Sequence, residues 1–356
     1  MIELRDLMRS DLKHLHAYSS QPNLAEIELR LGRAMVRLDA NENPYGPSPR
    51  VTEALAACHP DRYPDPSCTD LRRHLSTYVK LDPAGIVCGA GGDEIIELAF
   101  RLFLESGDEV IDLTPSFAMY GIFVSYHGGR AIPVSRDGQF AVDVDAVVRA
   151  ITPRTKVICL CSPNNPTGNV TPRDDVVRIL DTGRVVLLDE AYIEFAGRTL
   201  ADLIEQYPNV IVLRSMSKWA GLAGLRLGYG LMQPALAADM AHVRSPYTVS
   251  AAAQAAGVAS LEDTAYLMGN VARIVEERER LQRRLAALNT GTVLPSQTNF
   301  LCWLTGDVDP TQIRAKLIEQ GVVIRAFSGP LRALRISVGR PEESDMLLDA
   351  LENVCA

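Results

Sequence analysis

The sequence predicts an α/β protein with a large domain, built on a mostly parallel central sheet, and a smaller α+β domain. Two observations support this prediction. Between about residues 86 and 230, short runs of Val, Ile and Leu alternate with helical patterns, which is typical of consecutive βαβ units. Polar side chains follow several of these runs, and ligands of such sheets bind beyond the carboxyl ends of the strands. A ligand site is therefore expected at that edge of the sheet.

Length and composition limit the class of protein. A chain of 356 residues fits two domains of ordinary size, and 47% hydrophobic with 22% charged residues is typical of soluble globular proteins. The N-terminus lacks the apolar core of a signal peptide and no apolar run reaches membrane-spanning length, so a cytoplasmic protein without a membrane partner is expected. A net charge of −8 without a basic tract disfavours nucleic acid as a partner. Seven cysteines without a Cys-x-x-Cys pair, and six histidines without a metal-binding spacing, favour reduced thiols and no metal site.

Before residue 86 the sequence predicts helices joined by irregular segments. Residues 6–18 and 24–31 are expected to form short helices of an N-terminal arm, since neither carries a full repeating apolar stripe. The segment 38–49 holds three prolines and a glycine, which indicates an ordered loop or a linker. Helices are predicted over 50–58 and 71–79.

The middle of the chain carries the alternation of strands and helices. Strands are predicted at 86–88, 109–113, 131–134, 156–160, 185–188 and 210–213, with helices starting near 93 and spanning 142–150 and 173–180. Five candidate site residues, Asp93, Phe117, Asn165, Asp189 and Lys218, each follow one of the apolar strands. Their shared placement is the main argument for one common site.

The last hundred residues predict a smaller mixed domain. Helices are expected at 251–260, 261–288 and 311–320, and strands at 299–304, 321–325 and 334–338. Because residues 273–284 carry many charges of both signs, the second helix is expected to be exposed and to link the domains. The predicted boundaries are an arm and part of the small domain at 1–50, a large ligand-binding domain at 51–250 and a small C-terminal domain at 251–356.

Lys218 lies where a buried strand gives way to small hydroxyl residues and glycines. A primary amine in such a place forms a Schiff base with a carbonyl when burial or a nearby cation lowers its pKa. Ser215, Ser217 and Arg226 suit a phosphate dianion, since they offer hydroxyl donors and a planar fork. An aldehyde and a phosphate on one small molecule indicate pyridoxal 5′-phosphate (PLP). A lysine after a strand is more often a solvated surface charge, so the PLP interpretation depends on what other segments of the chain supply.

Other segments supply matching parts. Asp189 ends a fully apolar strand, where a carboxylate is costly unless a cation such as a protonated pyridine nitrogen meets it. Tyr192 is then close enough for the phenolic oxygen of the ring, and Phe117 is able to stack on the ring. The glycine turn before Asp93 opens a helix whose N-terminal amides suit a phosphate. Each feature has an ordinary alternative: an aspartate that caps a helix, an aromatic residue in the core, or a simple turn.

Taken together, these motifs resemble fold-type I PLP-dependent aminotransferases and, within them, the histidinol-phosphate aminotransferase group. The segments that carry the resemblance are Asp-Ala-Asn-Glu-Asn-Pro-Tyr-Gly (39–46), Arg-Tyr-Pro (62–64), Gly-Gly-Asp-Glu (91–94), Pro-Asn-Asn-Pro-Thr-Gly (163–168), Asp-Glu-Ala-Tyr (189–192), Ser-Met-Ser-Lys (215–218), Gly-Leu-Arg-Leu-Gly (224–228) and Leu-Arg-Ile-Ser-Val-Gly (334–339). Their order and spacing span nearly the whole chain. The resemblance implies the aspartate-aminotransferase-like fold, with PLP bound by the large domain.

The resemblance also implies a role for each matching residue. Lys218 is the lysine that carries PLP and transfers the proton between the substrate α-carbon and the cofactor. Asp189 pairs with the pyridine N–H, and Tyr192 with Asn165 hydrogen-bonds the ring oxygen. The residues implied around the phosphate and ring are Gly92, Asp93, Ser215, Ser217 and Arg226 for the phosphate and Phe117 for stacking, where many relatives have tyrosine.

Two arginines and one tyrosine bear on substrate and assembly. Arg335 matches the arginine that binds the substrate carboxylate or phosphate, and Arg325 matches a second arginine for the substrate phosphate. Asn165 is implied beside the substrate as well. Tyr63 matches a tyrosine that reaches the cofactor phosphate of a neighbouring subunit, which implies a homodimer with shared active sites. A tyrosine or arginine in such positions is also compatible with plain surface packing.

The implied activity is transamination between L-histidinol phosphate and 2-oxoglutarate, giving imidazole-acetol phosphate and L-glutamate in histidine biosynthesis. The alternatives within the same fold are an aromatic amino acid aminotransferase and a threonine-phosphate decarboxylase of cobalamin biosynthesis. A PLP-sensing regulator is a third alternative. It is disfavoured because the stretch before the 39–46 motif is too short for a DNA-binding domain and the lysine, aspartate, tyrosine and arginine set is intact.

Overall fold

The computed structural model describes residues 4–13 and 24–355. Its larger sheet has seven strands in the order β2-β8-β7-β6-β5-β3-β4. The strands of this sheet are β2 (Ile86–Ala90), β3 (Glu109–Thr114), β4 (Arg130–Ser135), β5 (Thr155–Cys161), β6 (Val185–Asp189), β7 (Val210–Ser215) and β8 (Leu227–Leu231). The pairs from β4 to β7 are parallel, whereas β8 runs antiparallel to both of its neighbours. The predicted α/β class with a mostly parallel sheet is confirmed.

Helices cover both faces of this sheet. The α-helices of the described residues are α1 (Leu24–Leu31), α2 (Pro49–Ala56), α3 (Thr69–Val79), α4 (Gly92–Phe103), α5 (Met119–Tyr126), α6 (Val144–Ala150), α7 (Arg173–Leu180), α8 (Ile193–Ala196), α9 (Pro234–Val243), α10 (Ala251–Glu262), α11 (Thr264–Ala287), α12 (Pro310–Glu319) and α13 (Pro341–Cys355). Successive residues of β5 point to opposite faces, so Ile158 and Leu160 join one core while Val157 and Cys159 join the other. Burial on both faces explains why the strands are continuous apolar runs.

A second sheet of five strands lies in the order β1-β11-β12-β10-β9. Its strands are β1 (Val36–Leu38), β9 (Thr292–Val293), β10 (Phe300–Leu304), β11 (Val322–Phe327) and β12 (Ala333–Ser337). Strand β1 pairs in parallel with β11, so a segment that precedes the large sheet in sequence meets one that follows it. A separate core forms under this sheet, to which α11, α12 and α13 contribute apolar side chains. The domain boundaries stay a prediction.

Helix α11 corrects one expectation. It was expected to be exposed, but one face is buried, with Leu267, Val271, Ile274, Leu281 and Leu285 in the apolar cores. The apolar stripe recurs every three or four residues and was obscured because charged residues share the buried face. One of these, Arg278, is 3% exposed and donates to the carbonyl of Thr298 at 3.0 Å.

Other differences concern element ends and short elements. In place of a helix over residues 6–18, two short 3₁₀ turns span Leu4–Leu7 and Ser10–Leu12, and residues 14–18 lie outside the described residues. The elements that the sequence reading did not predict are α5, α8, α9, α13, β1, β8 and β9. Within the described part of the chain, no helix is long and apolar enough to cross a bilayer.

Candidate active site

A cavity of about 250 Å³ opens at the carboxyl ends of β5, β6 and β7. Residues of the second sheet close its other side, because Asn41 follows β1 and Arg335 lies on β12. The predicted site residues that line it are Gly92, Asp93, Phe117, Asn165, Asp189, Tyr192, Ser215, Ser217, Lys218, Arg226 and Arg335. The structure thus brings together side chains that are up to about 240 positions apart in sequence.

Lys218 lies in the turn that follows β7. The neighbouring Met216 and Trp219 are completely buried and anchor this turn in the core. The amine donates a hydrogen bond to the carbonyl oxygen of Ala40 at 3.1 Å. Burial, and next the positive charge of Arg335, lower the pKa of Lys218 to about 8. A fraction of the lysine is therefore a neutral amine close to neutral pH.

Asp189 ends β6 and is 4% exposed. Its Oδ2 accepts a 2.6 Å hydrogen bond from the hydroxyl of Tyr120, and its Oδ1 accepts one from the amide of Ala191 at 3.0 Å. Burial raises the pKa of this carboxyl to about 6, although both hydrogen bonds lower it. Among the residues that the structure describes, no lysine, arginine or histidine forms an ion pair with Asp189. A ligand that brings a cationic N–H here would compensate for the burial of the carboxylate.

The N-terminus of α4 and Arg226 form an anion cradle. Gly91 precedes this helix with φ +81°, and a Cβ there would lie 2.6 Å from Arg226 Nη2. The guanidinium also pairs with Asp93, Nη2 to Oδ2 at 3.0 Å. A phosphate is attracted by the helix N-terminus and by the guanidinium, whereas the carboxylate of Asp93 orients the guanidinium. The hydroxyl residues Ser215 and Ser217 complete the same end of the cavity.

Tyr192, Asn165 and Arg335 occupy the side of the cavity nearest the second sheet. The oxygen of Tyr192 accepts a 3.0 Å hydrogen bond from Asn41 Nδ2, and burial raises the pKa of this phenol. Arg335 donates from Nη1 to Asn165 Oδ1 at 2.8 Å and from Nη2 to the carbonyl of Asp39 at 2.7 Å. These bonds hold one guanidinium between elements of both sheets.

This chain is similar to known proteins over nearly its whole length. A family model described as aminotransferase class I and II matches residues 33–351. The chain belongs to this family. A histidinol-phosphate aminotransferase from Roseiflexus castenholzii is 46% identical over 363 residues, covering 98% of each chain, and one from Dehalococcoides mccartyi is 39% identical over 353 residues, also covering 98% of each. The crystal structure of a Sinorhizobium meliloti histidinol-phosphate aminotransferase in complex with pyridoxal-5′-phosphate aligns with a TM-score of 0.87 and 32% identity, over 94% of this chain and 95% of that chain.

Within the class I and II aminotransferases, these relatives place the chain in the histidinol-phosphate aminotransferase group. The predicted aspartate-aminotransferase-like fold is confirmed by the alignment with solved aminotransferase structures. An aminotransferase acts on small molecules, as the sequence also predicted.

Two predicted site residues of this aminotransferase lie outside the cavity. Arg325 faces Arg335 across the β11–β12 pair, and its guanidinium lies 6.0 Å from the ring centre of Phe327. Tyr63 is 83% exposed, with its ring 4.7 Å from that of Tyr247. Binding of the substrate phosphate by Arg325 stays a prediction, and so does the contact of Tyr63 with the cofactor of a neighbouring subunit.

The structure adds three groups that the sequence reading missed. Asn41 contacts Tyr192, the carbonyl of Ala40 contacts Lys218, and Tyr120 contacts Asp189. Asn41 and Ala40 lie inside the 39–46 motif that carries the resemblance, so the sequence pointed to this segment without giving either residue a role. Tyr120 had no such signal, because an aromatic residue three positions after Phe117 is equally typical of a core helix.

Proposed function

We propose that this protein is a PLP-dependent transaminase that transfers the amino group between L-histidinol phosphate and 2-oxoglutarate, giving imidazole-acetol phosphate and L-glutamate, in histidine biosynthesis. The observation that carries the proposal is a buried carboxylate, Asp189, in the same cavity as a lysine of lowered pKa and an anion cradle. The relatives named histidinol-phosphate aminotransferase, which match this chain over nearly its full length, support the substrate.

The residues of the cavity fit PLP. Asp189 offers a carboxylate to the pyridine N–H, and the cost of its burial falls when that cation is present. Phe117 offers an aromatic face, and Tyr192 offers a hydroxyl whose oxygen is already held by Asn41. The α4 N-terminus, the two serines and Arg226 offer donors to a phosphate, as seen at phosphate-binding helix N-termini. When bound, PLP supplies an electrophilic aldehyde and a ring that accepts electron density from the substrate α-carbon.

The residues of this chain then have separate tasks. Lys218 would hold the cofactor through the carbon of its aldehyde group and, once released, would accept a proton from the substrate α-carbon and pass it to that cofactor carbon, since its pKa of about 8 leaves part of the amine neutral. Asp189 would pair with the ring nitrogen as a carboxylate, which would keep the ring electron-accepting. Arg335 binds the anionic end of the substrate, and its bonds to Asn165 and Asp39 orient it. These contacts would orient the substrate so that its reacting carbon lies next to the ring.

The substrate has a phosphate, which favours a second cation beside Arg335. Arg325 is the candidate because the two arginines are direct neighbours across β11 and β12. The ring centre of the half-buried Phe327 lies 6.0 Å from the guanidinium of Arg325 and 5.9 Å from that of Arg335. We therefore expect Arg325 to bind the substrate phosphate beside Arg335.

The active form that we propose is a homodimer in which Tyr63 of each subunit serves the cofactor phosphate of the other. The exposure of Tyr63 and of its neighbour Tyr247 supports a surface that a second subunit covers. The cytoplasmic location stays a prediction.

The test is an absorbance spectrum of the purified protein. A visible band of bound PLP is expected, and it should bleach to the pyridoxamine form with L-glutamate and, in a fresh sample, with L-histidinol phosphate. Bleaching with glutamate and phenylalanine but not with histidinol phosphate would move the substrate to aromatic amino acids. Release of CO₂ from a phosphorylated amino acid would indicate the decarboxylase. No band after reconstitution with PLP would overturn the proposal.

Lys218→Ala should bind PLP without a covalent bond and lose turnover by at least about 10³-fold, because no other amine replaces the proton carrier. Lys316→Ala, at an exposed position of α12, is the matched control and should retain the activity of the unchanged protein. Substantial turnover in Lys218→Ala would contradict the role of Lys218.

A further inference from the structure

Tyr120 contacts two groups of the site without lining the cavity. It is the second residue of α5 and is completely buried. Its hydroxyl donates the 2.6 Å hydrogen bond to Asp189 Oδ2. Its ring meets the ring of Phe117 edge-on, with centroids 5.7 Å apart and an interplanar angle of 86°. One side chain therefore contacts both the carboxylate and the aromatic ring that the proposed function places against the cofactor.

The hydrogen bonds of Asp189 divide between its two oxygens. Oδ2 accepts from Tyr120 and Oδ1 accepts from the amide of Ala191. A carboxylate has about four lone-pair positions, so two donors fix its rotation and still leave positions for a ligand N–H. Hydrogen bonds to a carboxylate favour its ionised form, and here they oppose burial. Without the hydroxyl of Tyr120, the amide of Ala191 would remain as the donor to Asp189 among the contacts that the structure shows.

We propose that Tyr120 is a positioning residue for the cofactor, whose hydroxyl holds the carboxylate of Asp189 ionised and turned toward the ring nitrogen. The inference rests on the proposed function. It separates two contributions of the same side chain: the ring packs against Phe117, and the hydroxyl acts on Asp189. Tyr120→Phe removes the second contribution and retains the first.

The test is the dissociation constant of PLP for four proteins: the unchanged chain, Tyr120→Phe, Asp189→Asn and the double variant. Fluorescence titration of each apoprotein gives this constant without any measurement of turnover. Tyr120→Phe should weaken PLP binding about tenfold or more, because a hydrogen bond to a charged group is lost. In the Asp189→Asn background the same substitution should weaken binding less than about threefold, since the charge on which the hydroxyl acts is absent.

A spectroscopic measurement distinguishes positioning from packing. The absorbance of bound PLP depends on protonation of its ring, so Tyr120→Phe should shift the spectrum toward that of Asp189→Asn. Tyr126→Phe is the matched control, because Tyr126 lies on the same helix and is 47% exposed. It should change neither the dissociation constant nor the spectrum. Thermal unfolding of each apoprotein confirms that the variants are folded.

The outcomes separate the two proposals. Equal losses of affinity from Tyr120→Phe in both backgrounds, with an unchanged spectrum, would overturn the role of the hydroxyl and leave transamination intact. The role of the hydroxyl would also be overturned, with transamination intact, if the unchanged protein binds PLP and transaminates and the Tyr120→Phe variant binds PLP equally well. An unchanged protein that does not bind PLP would overturn both proposals.

Discussion

Asp189 and Lys218 are ionisable groups that the fold buries in one cavity, and burial moves both toward their neutral forms. It raises the pKa of the carboxyl to about 6 and lowers that of the amine to about 8. Each shift means that the folded protein without ligand is destabilised by ionising the group. Perturbed groups of this kind are typical of functional sites, where the ligand supplies the missing partner.

We predict that Asp189→Asn stabilises the apoprotein at pH 7. The folded-state pKa of about 6 exceeds the usual 3.8, so the carboxyl contributes stability below about pH 4, and this contribution is lost as the pH rises through 6. The neutral amide avoids that loss, which corresponds to roughly 1–3 kcal/mol at pH 7. Urea unfolding of the apoproteins at pH 4, 5, 6 and 7 measures the difference, which should grow with pH.

Asp307→Asn is the control for this experiment, because Asp307 is exposed. Its unfolding should differ little from that of the unchanged protein at every pH. An Asp189→Asn apoprotein that is less stable than the unchanged protein at pH 7 would contradict the prediction, since the hydrogen bonds from Tyr120 and Ala191 would then outweigh burial.

At the residue scale, the sequence predicts those side chains whose signal is local. Asp189 and Lys218 are polar residues that directly follow apolar strands, and this pattern is visible within a few positions. Asn41 and Tyr120 depend on contacts with residues 151 and 69 positions away, respectively. The motif around Asn41 marks its segment without indicating Tyr192 as the partner, and nothing near Tyr120 in sequence indicates Asp189, so one sequence did not reveal their roles.

The glycines at the start of α4 and on β8 let two backbone segments pack closely. A Cβ on Gly228 of β8 would lie 2.5 Å from the carbonyl carbon of Gly91 and from the amide nitrogen of Gly92. Because the contacts are with backbone, no side-chain rotation relieves them. The short distance keeps the N-terminus of α4 against β8 and Arg226.

We predict that Gly228→Ala weakens PLP binding at least about tenfold and costs about 1–3 kcal/mol of stability, as expected for overpacking. Gly224→Ala is the matched control four residues earlier, in the turn before β8, because a Cβ there meets nothing within 4 Å. Cofactor titration and thermal unfolding of the two variants test this. Similar PLP affinities for both variants would show that the close packing is unimportant for the anion cradle.

A second element is the buried ion cluster beneath the ends of β6 and β7. Arg214 bonds to Glu190 at 2.8 Å and to Glu194 at 3.4 Å, and the three side chains are at most 6% exposed. Burial raises the pKa of Glu194 to about 7, although Arg214 lowers it. The cluster joins residues that directly neighbour Asp189 and Ser215, so it fixes the backbone from which the site projects.

We predict that Arg214→Met destabilises the apoprotein by about 3–5 kcal/mol, since two buried carboxylates lose their cation. Adding Glu194→Gln should restore part of this loss, because one of the uncompensated charges is then removed. The midpoint of urea unfolding at pH 7.5 measures both effects. Equal midpoints for Arg214→Met and the double variant would mean that packing, and not charge, explains the loss.

At the element scale, the sequence predicts the strands and helices whose buried faces are apolar. The apolar runs of β5, β6 and β7 are buried on both faces and were evident. The buried face of α11 was not, because Glu277 and Arg278 occupy positions of its inner stripe. Glu277 pairs with Arg280, and Arg278 pairs with Glu279 and also donates to a carbonyl of another segment, a contact that the sequence pattern does not show.

The whole molecule places the site between two sheets. Lys218, Asp189 and the α4 N-terminus belong to the larger sheet, whereas Arg335 and the segment with Asn41 belong to the smaller one. The proposed cofactor contacts lie mainly on the first part and the substrate contacts on the second. The α/β class followed from the alternation of elements. The pairing of β1 with the C-terminal strands did not, since three residues of strand carry almost no pattern.

We predict that two inactive variants complement each other if Tyr63 acts across a dimer. A heterodimer of Tyr63→Ala and Lys218→Ala has one site with both residues intact and one site with neither. Random association of co-expressed chains gives about half heterodimers, so about a quarter of the activity of the unchanged protein is expected. Each variant alone should be far less active. No recovery in purified heterodimers would show that Tyr63 acts in its own chain or is not required.

The pairing of β1 with β11 has a consequence for synthesis of the chain. Val36 is paired with Val322, which is 286 residues later. At about 5–20 residues per second, a ribosome needs on the order of 15–60 s to make the intervening chain. During this interval the larger sheet is able to fold while β1 and the adjoining Asn41 have no partner strand. The half of the site that we propose to bind the substrate anion is thus assembled last, after the half that holds the lysine.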